Sequence, residues 1–172
     1  MICGKVWKFA DDIDTDAIIP GRYLDDYSPL SLAKHVMEGV DPTFASKVSK
    51  GDIIVAGRHF GIGSSREQAA TALLAAGVEV ILAESFARIF YRNAVNQGML
   101  PLICKCGAEA FETGEQIVID AEKCIARSAV NPKKIIDLER MSPYISKIHS
   151  SGGLVKLMRS ELLTTSGDGK DK

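Results

Sequence analysis

The feature that most constrains this chain is a change of hydrophobic period around residue 60. Asp52-Ile53-Ile54-Val55-Ala56 is short, apolar and rich in β-branched residues, which suits a buried strand. Beyond it Ala69, Ala70, Leu73, Leu74 and Ala76 recur at helical spacing. Between the two lies a glycine-rich run, Gly57-Arg58-His59-Phe60-Gly61-Ile62-Gly63-Ser64-Ser65-Arg66. The order is therefore strand, glycine loop, helix.

The chemistry of that junction follows from backbone physics. The first turn of a helix carries unpaired N–H groups and a partial positive charge. Gly61 and Gly63 have no side chain and let a ligand come close to the backbone. Ser64 or Ser65 is placed to cap the helix, and Arg66 adds a cation suited to a carboxylate. Together these describe an anion site. The plainer alternative is an ordinary capped helix after a tight turn. Other glycine motifs fit less well. A dinucleotide fingerprint needs a third glycine where Arg66 stands, and three residues, Arg58 to Phe60, intervene before Gly61. There is no Gly-Lys-Ser/Thr triplet and no nucleophile elbow.

Similar alternations run along the chain. Residues 2–8 read as a first strand. Residues 31–38 read as a short helix capped by Ser31, with a structural His35. Val78 to Ala83 reads as a strand, Phe86 to Asn96 as a helix capped by Ser85 and closed by Gly98, and Leu100 to Cys104 as a further strand. Phe86, Ile89 and Phe90 form that helix's expected inner stripe. Short intervals of strand and helix predict an α/β fold with a partly parallel sheet. Residues 116–120 and 124–127 then suggest a hairpin-like pair. Pro143 opens a helix to His149, and Leu154 to Leu163 forms the last one. The expectation is one domain over 1–163 and a polar, disordered tail over 164–172.

Composition narrows the function classes. The 172 residues carry a net charge of −1, which gives no reason to expect nucleic acid or an anionic membrane as partner. No apolar run approaches the roughly 20 residues of a membrane span, and the N-terminal residues lack a signal-peptide core, so a cytoplasmic protein is expected. Cys3, Cys104, Cys106 and Cys124 form no C-x-x-C pair; Cys104 and Cys106 read as packing at a strand end. Asp11, Asp12, Asp14 and Asp16 put four acids in six residues, but Asp16 and Arg22 stand where a calcium loop needs glycine and glutamate. They read either as a solvated turn or as a source of one carboxylate that orients Arg66 or a serine.

Four segments carry a family likeness: DIDTDAIIPGRYL, GDIIVAGRHFGIGSSREQAA, ESFARIFYRNAVNQGMLPL and MSPYISKIHSSGGLV. They resemble the small subunits of aconitase-type hydro-lyases. The 3-isopropylmalate dehydratase small subunits are nearest, and the homoaconitase small subunits come next. The resemblance covers nearly all but the tail. It implies a swivelling β/β/α domain of three layers. It implies a large-subunit partner, in a heterodimer or heterotetramer, that carries a [4Fe–4S] cluster; this chain would bind neither cofactor nor metal. It implies isomerisation of a 2-hydroxy diacid by dehydration and rehydration, as in leucine biosynthesis. By motif position Ser64 would be the catalytic base and Arg66 would bind a substrate carboxylate. Ser65 would lie beside them, and Asp16 at the rim. Arg22, Tyr23, Leu24 and Asp25 would contact substrate from a polar loop expected to be mobile without its partner. Some isopropylmalate enzymes have arginine where this chain has Asp25, and an acid there disfavours tricarboxylates. A related dehydratase, or a stand-alone anion-binding module using the same helix start, are the competing expectations.

Overall fold

The computed structural model describes residues 1–167, with side chains described to residue 163. A strand β1 (Ile2–Lys8) leads to α1 (Thr15–Ile18), a 3-10 turn at Gly21–Tyr23, α2 (Pro29–Leu32) and α3 (Phe44–Lys47). Next come β2 (Ile53–Ala56), α4 (Glu67–Ala75), β3 (Val80–Ala83), α5 (Arg88–Gln97) and β4 (Leu100–Ile103). The chain closes with β5 (Gln116–Asp120), β6 (Ile125–Ser128), β7 (Ile135–Asp137), α6 (Pro143–Ser150) and α7 (Leu154–Gly167). The expected tail falls largely on residues 168–172, which lie outside the described residues.

All seven strands form one sheet in the order β4-β3-β2-β1-β5-β6-β7. The β1 to β4 half is parallel, and β5, β6 and β7 are antiparallel. This is the α/β, partly parallel sheet that the sequence predicts. Strands β2 and β3 are buried along their whole length, and alternate side chains enter two separate cores. Trp7, Ile54, Ala56, Ile81 and Ala83 face the helices, packed with Phe60, Leu73 and Phe90. Val6, Ile53, Val55, Val80 and Leu82 face the other way and pack with Phe111, Ile117, Ile119 and Ala126. The antiparallel half therefore lies over the back of the parallel half, giving two β layers and one helical layer. The sheet curls far enough for the Glu139 N–H, just past β7, to donate to the Ile103 carbonyl of β4 at 2.9 Å.

Several local expectations change. Neither Ser64 nor Ser65 caps α4: the helix begins at Glu67, with Arg66 at the cap position and no side-chain cap bond. Ser85 likewise does not cap α5. Ala87 occupies that position, and the Ser85 hydroxyl instead accepts the His59 N–H at 2.9 Å. Ile89 is 48% exposed, so the inner stripe of α5 is Phe90, Ala94 and Val95. Residues 31–38 are not one helix. Ser28 caps α2, a 3-10 turn follows at Ala33–His35, and Met37 turns left-handed at φ 59°. Cys104 is buried and Cys106 exposed, because the strand ends at Ile103 and period-two alternation no longer applies. The α7 helix runs four residues past Leu163.

Gly61 serves packing more than ligand approach. It sits at φ +80°, and a Cβ there would come within 2.2 Å of the Phe90 ring. Gly61→Ala is expected to cost about 2–4 kcal/mol, from left-handed strain plus overpacking. In a chain of this size that lowers Tm by roughly 4–16 °C. Calorimetry of the purified variant checks it, and an unchanged Tm would show that α5 yields freely.

Candidate functional site

The parallel strands β1, β2 and β3 point their C-terminal ends the same way, so the segments that follow them gather at one end of the sheet. In open α/β sheets this is where ligands bind. Residues 11–19, after β1, lie against residues 57–66, after β2. The Thr15 N–H donates to the Ile62 carbonyl at 2.8 Å, and the Gly61 N–H donates to the Ile13 carbonyl at 2.7 Å. The Thr15 hydroxyl, 2% exposed, donates to the Ser64 carbonyl at 3.1 Å. The segment after β3 joins them, as the Phe60 N–H donates to the Ser85 carbonyl and the Ala87 N–H to the Phe60 carbonyl, both at 3.0 Å.

The four clustered acids each have a separate task. Asp11 accepts from the Arg58 guanidinium at 2.8 Å and 3.1 Å. Asp12 lies 2.7 Å from His59 Nδ1. Asp14 caps α1 by accepting the Ala17 N–H at 2.6 Å. Asp16 meets Arg66 through both oxygens, at 2.5 Å to Nη1 and 2.8 Å to Nη2. Three of the four thus hold residues of the glycine loop. A calcium loop would need these carboxylates to converge on one point, and they do not.

Arg66 is the best-anchored charge here. Its side chain is only 13% exposed, and Nη1 also donates to the Ile19 carbonyl at 3.2 Å. A guanidinium has five N–H donors, so Nε and part of Nη2 remain for a ligand. Ser64 and Ser65 are exposed immediately before it, and among the described residues nothing engages either hydroxyl. The structure therefore brings Ser64, Ser65, Arg66 and Asp16 to one corner. Gly21 stands beside them, since a Cβ there would lie 3.6 Å from Asp16 Oδ1 and 3.8 Å from Arg66 Nη2.

The following loop divides. Arg22 and Tyr23 turn to Glu38, with the Tyr23 hydroxyl donating to its oxygens at 3.1 Å and 3.3 Å. Leu24 packs on the helical core, Asp25 is exposed, and Tyr27 is 81% exposed. Glu38 and Thr15 are the residues that sequence reasoning missed. Thr15 had a readable signal in the DTD context. Glu38 had none, because two of its partners, Arg22 and Tyr23, come from a separate turn.

A cavity of about 530 Å³ runs along the same strand ends, lined by Asp11, Arg58, Glu84, Lys105, Cys106 and Glu109. A larger cavity, about 660 Å³, lies at the opposite end, near Met1, Lys123 and His149, and does not touch the glycine loop. The cysteines do not suit an iron–sulfur cluster, which needs convergent thiolates. Cys3 is on β1, Cys104 at the end of β4 with burial pushing its thiol up, and Cys124 in the turn before β6. Among the described residues no three His, Cys, Asp or Glu side chains are placed to hold a metal ion. Nor, among them, is any helix long and apolar enough to cross a membrane.

Comparison with known proteins gives the chain's family and matches its fold. Residues 12–106 match the family model described as the aconitase C-terminal domain. A 3-isopropylmalate dehydratase small subunit of Methanopyrus kandleri is 47% identical over 161 residues, covering 94% of each chain. A methanogen homoaconitase small subunit of Methanothermobacter thermautotrophicus is 52% identical over 158 residues, covering 90% of this chain and 89% of that one. The crystal structure of a 3-isopropylmalate dehydratase chain from Methanocaldococcus jannaschii superposes with a TM-score of 0.92 at 43% identity. It covers 98% of this chain and 99% of that one.

Hydrogen bonding from Arg66 holds the Asp16 carboxyl below its usual pKa of 3.8. A depressed carboxyl stabilises the fold above the unfolded pKa, and that contribution is lost as pH falls through the folded one. NMR titration of the Asp16 carboxyl is expected to place its midpoint below the usual value, and Arg66→Gln is expected to move it back up. A midpoint insensitive to Arg66 would disprove the pair.

Proposed function

Because the chain belongs to the aconitase C-terminal domain family, we propose that it is the small subunit of a two-subunit hydro-lyase that interconverts 3-isopropylmalate and 2-isopropylmalate. The observation that carries this reading is an exposed Ser64 hydroxyl beside an anchored Arg66 guanidinium, at the ends of the parallel strands. The likeness to several 3-isopropylmalate dehydratase small subunits supports the substrate. The homoaconitase relative supports a second reading, in which the diacid carries a further carboxylate. We assign the [4Fe–4S] cluster to the large subunit, since the cysteines of this chain do not suit it. We place the pair in the cytoplasm, whose reducing milieu suits four free cysteines.

The chemistry proposed for this chain is proton abstraction next to a carboxylate. Arg66 grips that carboxylate through its unused donors and fixes the adjacent C–H toward Ser64. Removing the proton spreads negative charge onto the same carboxylate, so the guanidinium binds the transition state more tightly than the ground state. Ser64 takes the proton on Oγ as hydroxide leaves the adjacent carbon to give the enoate; in rehydration hydroxide adds to the carbon that lost the proton, and Ser64 returns that proton to the carbon that bore the hydroxyl. A serine can serve as base only if dipoles stabilise its alkoxide. The N–H groups at the start of α4 and the Arg66 charge supply that field once water is excluded. Asp16 holds Arg66 in place, and Ser65 lines the same approach. Tyr23, Leu24 and Asp25 shape the substrate's outer side.

A large subunit would exclude the water. Tyr27, Leu30, Ile62 and Ile89 are large and exposed on segments that carry or flank the corner, consistent with a covering partner in a heterodimer or heterotetramer. The test is reconstitution with the cluster-bearing subunit. Dehydration of 3-isopropylmalate, followed by enoate absorbance, is expected only in the mixture. Ser64→Ala is expected to lower kcat by about 10²–10⁴, the usual range for losing a proton-transfer group, without loss of assembly. Full activity in that variant would remove Ser64 from the chemistry. Binding of diacids by the isolated chain, with no activity in the mixture, would favour the anion-binding module.

A further inference from the structure

One polar cluster near the corner has no part in the proton transfer. Glu38 receives the Tyr23 hydroxyl, lies 3.1 Å from His35 Nδ1 and pairs with Arg22. The Tyr23 and His35 rings stack at 3.8 Å with an interplanar angle of 11°, and the Arg22 guanidinium sits 4.8 Å from the Tyr23 ring centroid. The backbone is committed to this arrangement. Met37 is fully buried in a left-handed conformation, φ 59°, and its N–H donates to the Ile18 carbonyl at 2.7 Å. A Cβ on Gly39 would come within 2.7 Å of the Ala17 Cα, so the turn carrying Glu38 is wedged against α1. A non-glycine residue keeps such a backbone only where its surroundings hold it.

The location gives the cluster its meaning. Gly21 touches the Asp16–Arg66 pair, so Arg22 starts one residue from the corner. A second guanidinium turned inward from there would attract another anionic group on the ligand. Instead Arg22 is drawn onto Glu38, whose side chain is 29% exposed. Asp16, by contrast, is 62% exposed, so water screens its hold on the Arg66 charge more strongly. Both acids fix an arginine, but Asp16 fixes Arg66 beside the serines and Glu38 fixes Arg22 away from them. Asp25, next along the loop and exposed, adds negative charge at the same rim.

We infer that Glu38 is a specificity-determining, positioning residue: by claiming Arg22 it withholds that cation from the site, and so favours a malate whose C3 substituent is uncharged over one bearing a third carboxylate. The inference rests on the proposed function and separates its two substrates.

The experiment compares two malates, one 3-isopropyl and one 3-(2-carboxyethyl), on the pair reconstituted with its large subunit. Glu38→Gln is expected to shift the kcat/KM ratio about tenfold toward the tricarboxylate, mainly through KM, as one freed surface charge would do. Adding Arg22→Gln to that variant is expected to reverse the shift. A structural role would lower both substrates alike. Equal losses, or a shift that survives in the double variant, would overturn the inference. NMR titration of the free, full-length subunit gives a second check independent of activity. Hydrogen bonds from His35 and Tyr23 and the nearby Arg22 are expected to hold the Glu38 carboxyl below the ordinary range, with Arg22→Gln raising it. A carboxyl titrating at its ordinary value in the wild type, or one unmoved by Arg22→Gln, would also overturn the inference. A wild-type pair that turns over neither malate would sink the functional reading, while the titration would still report whether Glu38 claims Arg22.

Discussion

The structure depends on a clasp between two irregular segments. Neither residues 11–14 nor residues 57–66 form helix or strand of any length, so apart from a turn in which the Ile62 N–H donates to the His59 carbonyl their backbone groups need partners outside their own segment. They satisfy one another, through Thr15 to Ile62, Ile13 to Gly61, and the Thr15 hydroxyl to the Ser64 carbonyl. Burial of Thr15 makes the last bond consequential, because a buried hydroxyl without a partner is costly. Ion pairs then fasten the exposed side of the clasp, Asp11 to Arg58 and Asp16 to Arg66. Such pairs add little stability at a surface. Their effect is geometric, since they fix where two guanidinium groups point.

The curled sheet makes that clasp possible. Parallel pairing of β1 with β2 and β2 with β3 delivers three chain segments to one end of the sheet. The antiparallel half covers the back face and leaves the front to the helices. Phe90 of α5 then closes on Gly61, and edge contacts with Phe60 at 5.2 Å lock the head of α5 beside the loop. The loop owes its shape to a phenylalanine ring on one side and a threonine on the other. Gly61 is required by the approach of Phe90, and Gly57 by that of Asp11, whose carboxylate a Cβ would overlap.

Much of this was legible in the sequence, for identifiable reasons. Runs such as Ile53–Ala56 and Val80–Ala83 are strands because they are buried on both faces, which makes their composition unambiguous. Gly98 and the Ser142–Pro143 pair mark helix ends by stereochemistry alone. One of two readings of the acidic run had one of its carboxylates orienting Arg66 or a serine, and it is Asp16 that meets Arg66. The failures were contests between local rules and tertiary partners. Ser85 has the composition of a cap, but the His59 N–H competes for its hydroxyl. Ser64 and Ser65 stand where caps should, yet α4 begins beyond them because Arg66 keeps an extended backbone, φ −122° and ψ 105°. Glu38 was illegible, since its three partners meet it only through a left-handed methionine that no period announces.

That displacement of the helix start bears on function. A serine that capped α4 would spend one of its oxygen's two lone pairs on a backbone N–H. Starting the helix at Glu67 leaves the Ser64 and Ser65 hydroxyls uncommitted while keeping them near the positive end of the dipole. In water such a hydroxyl is no base, because solvent screens the helix field and the guanidinium alike. The same groups act strongly only where water is removed. Under the proposed function, an exposed serine beside an arginine with three of its five N–H donors engaged is half of a catalytic device. What it lacks is a dry second wall, and the physical chemistry of this corner calls for that wall to come from another polypeptide.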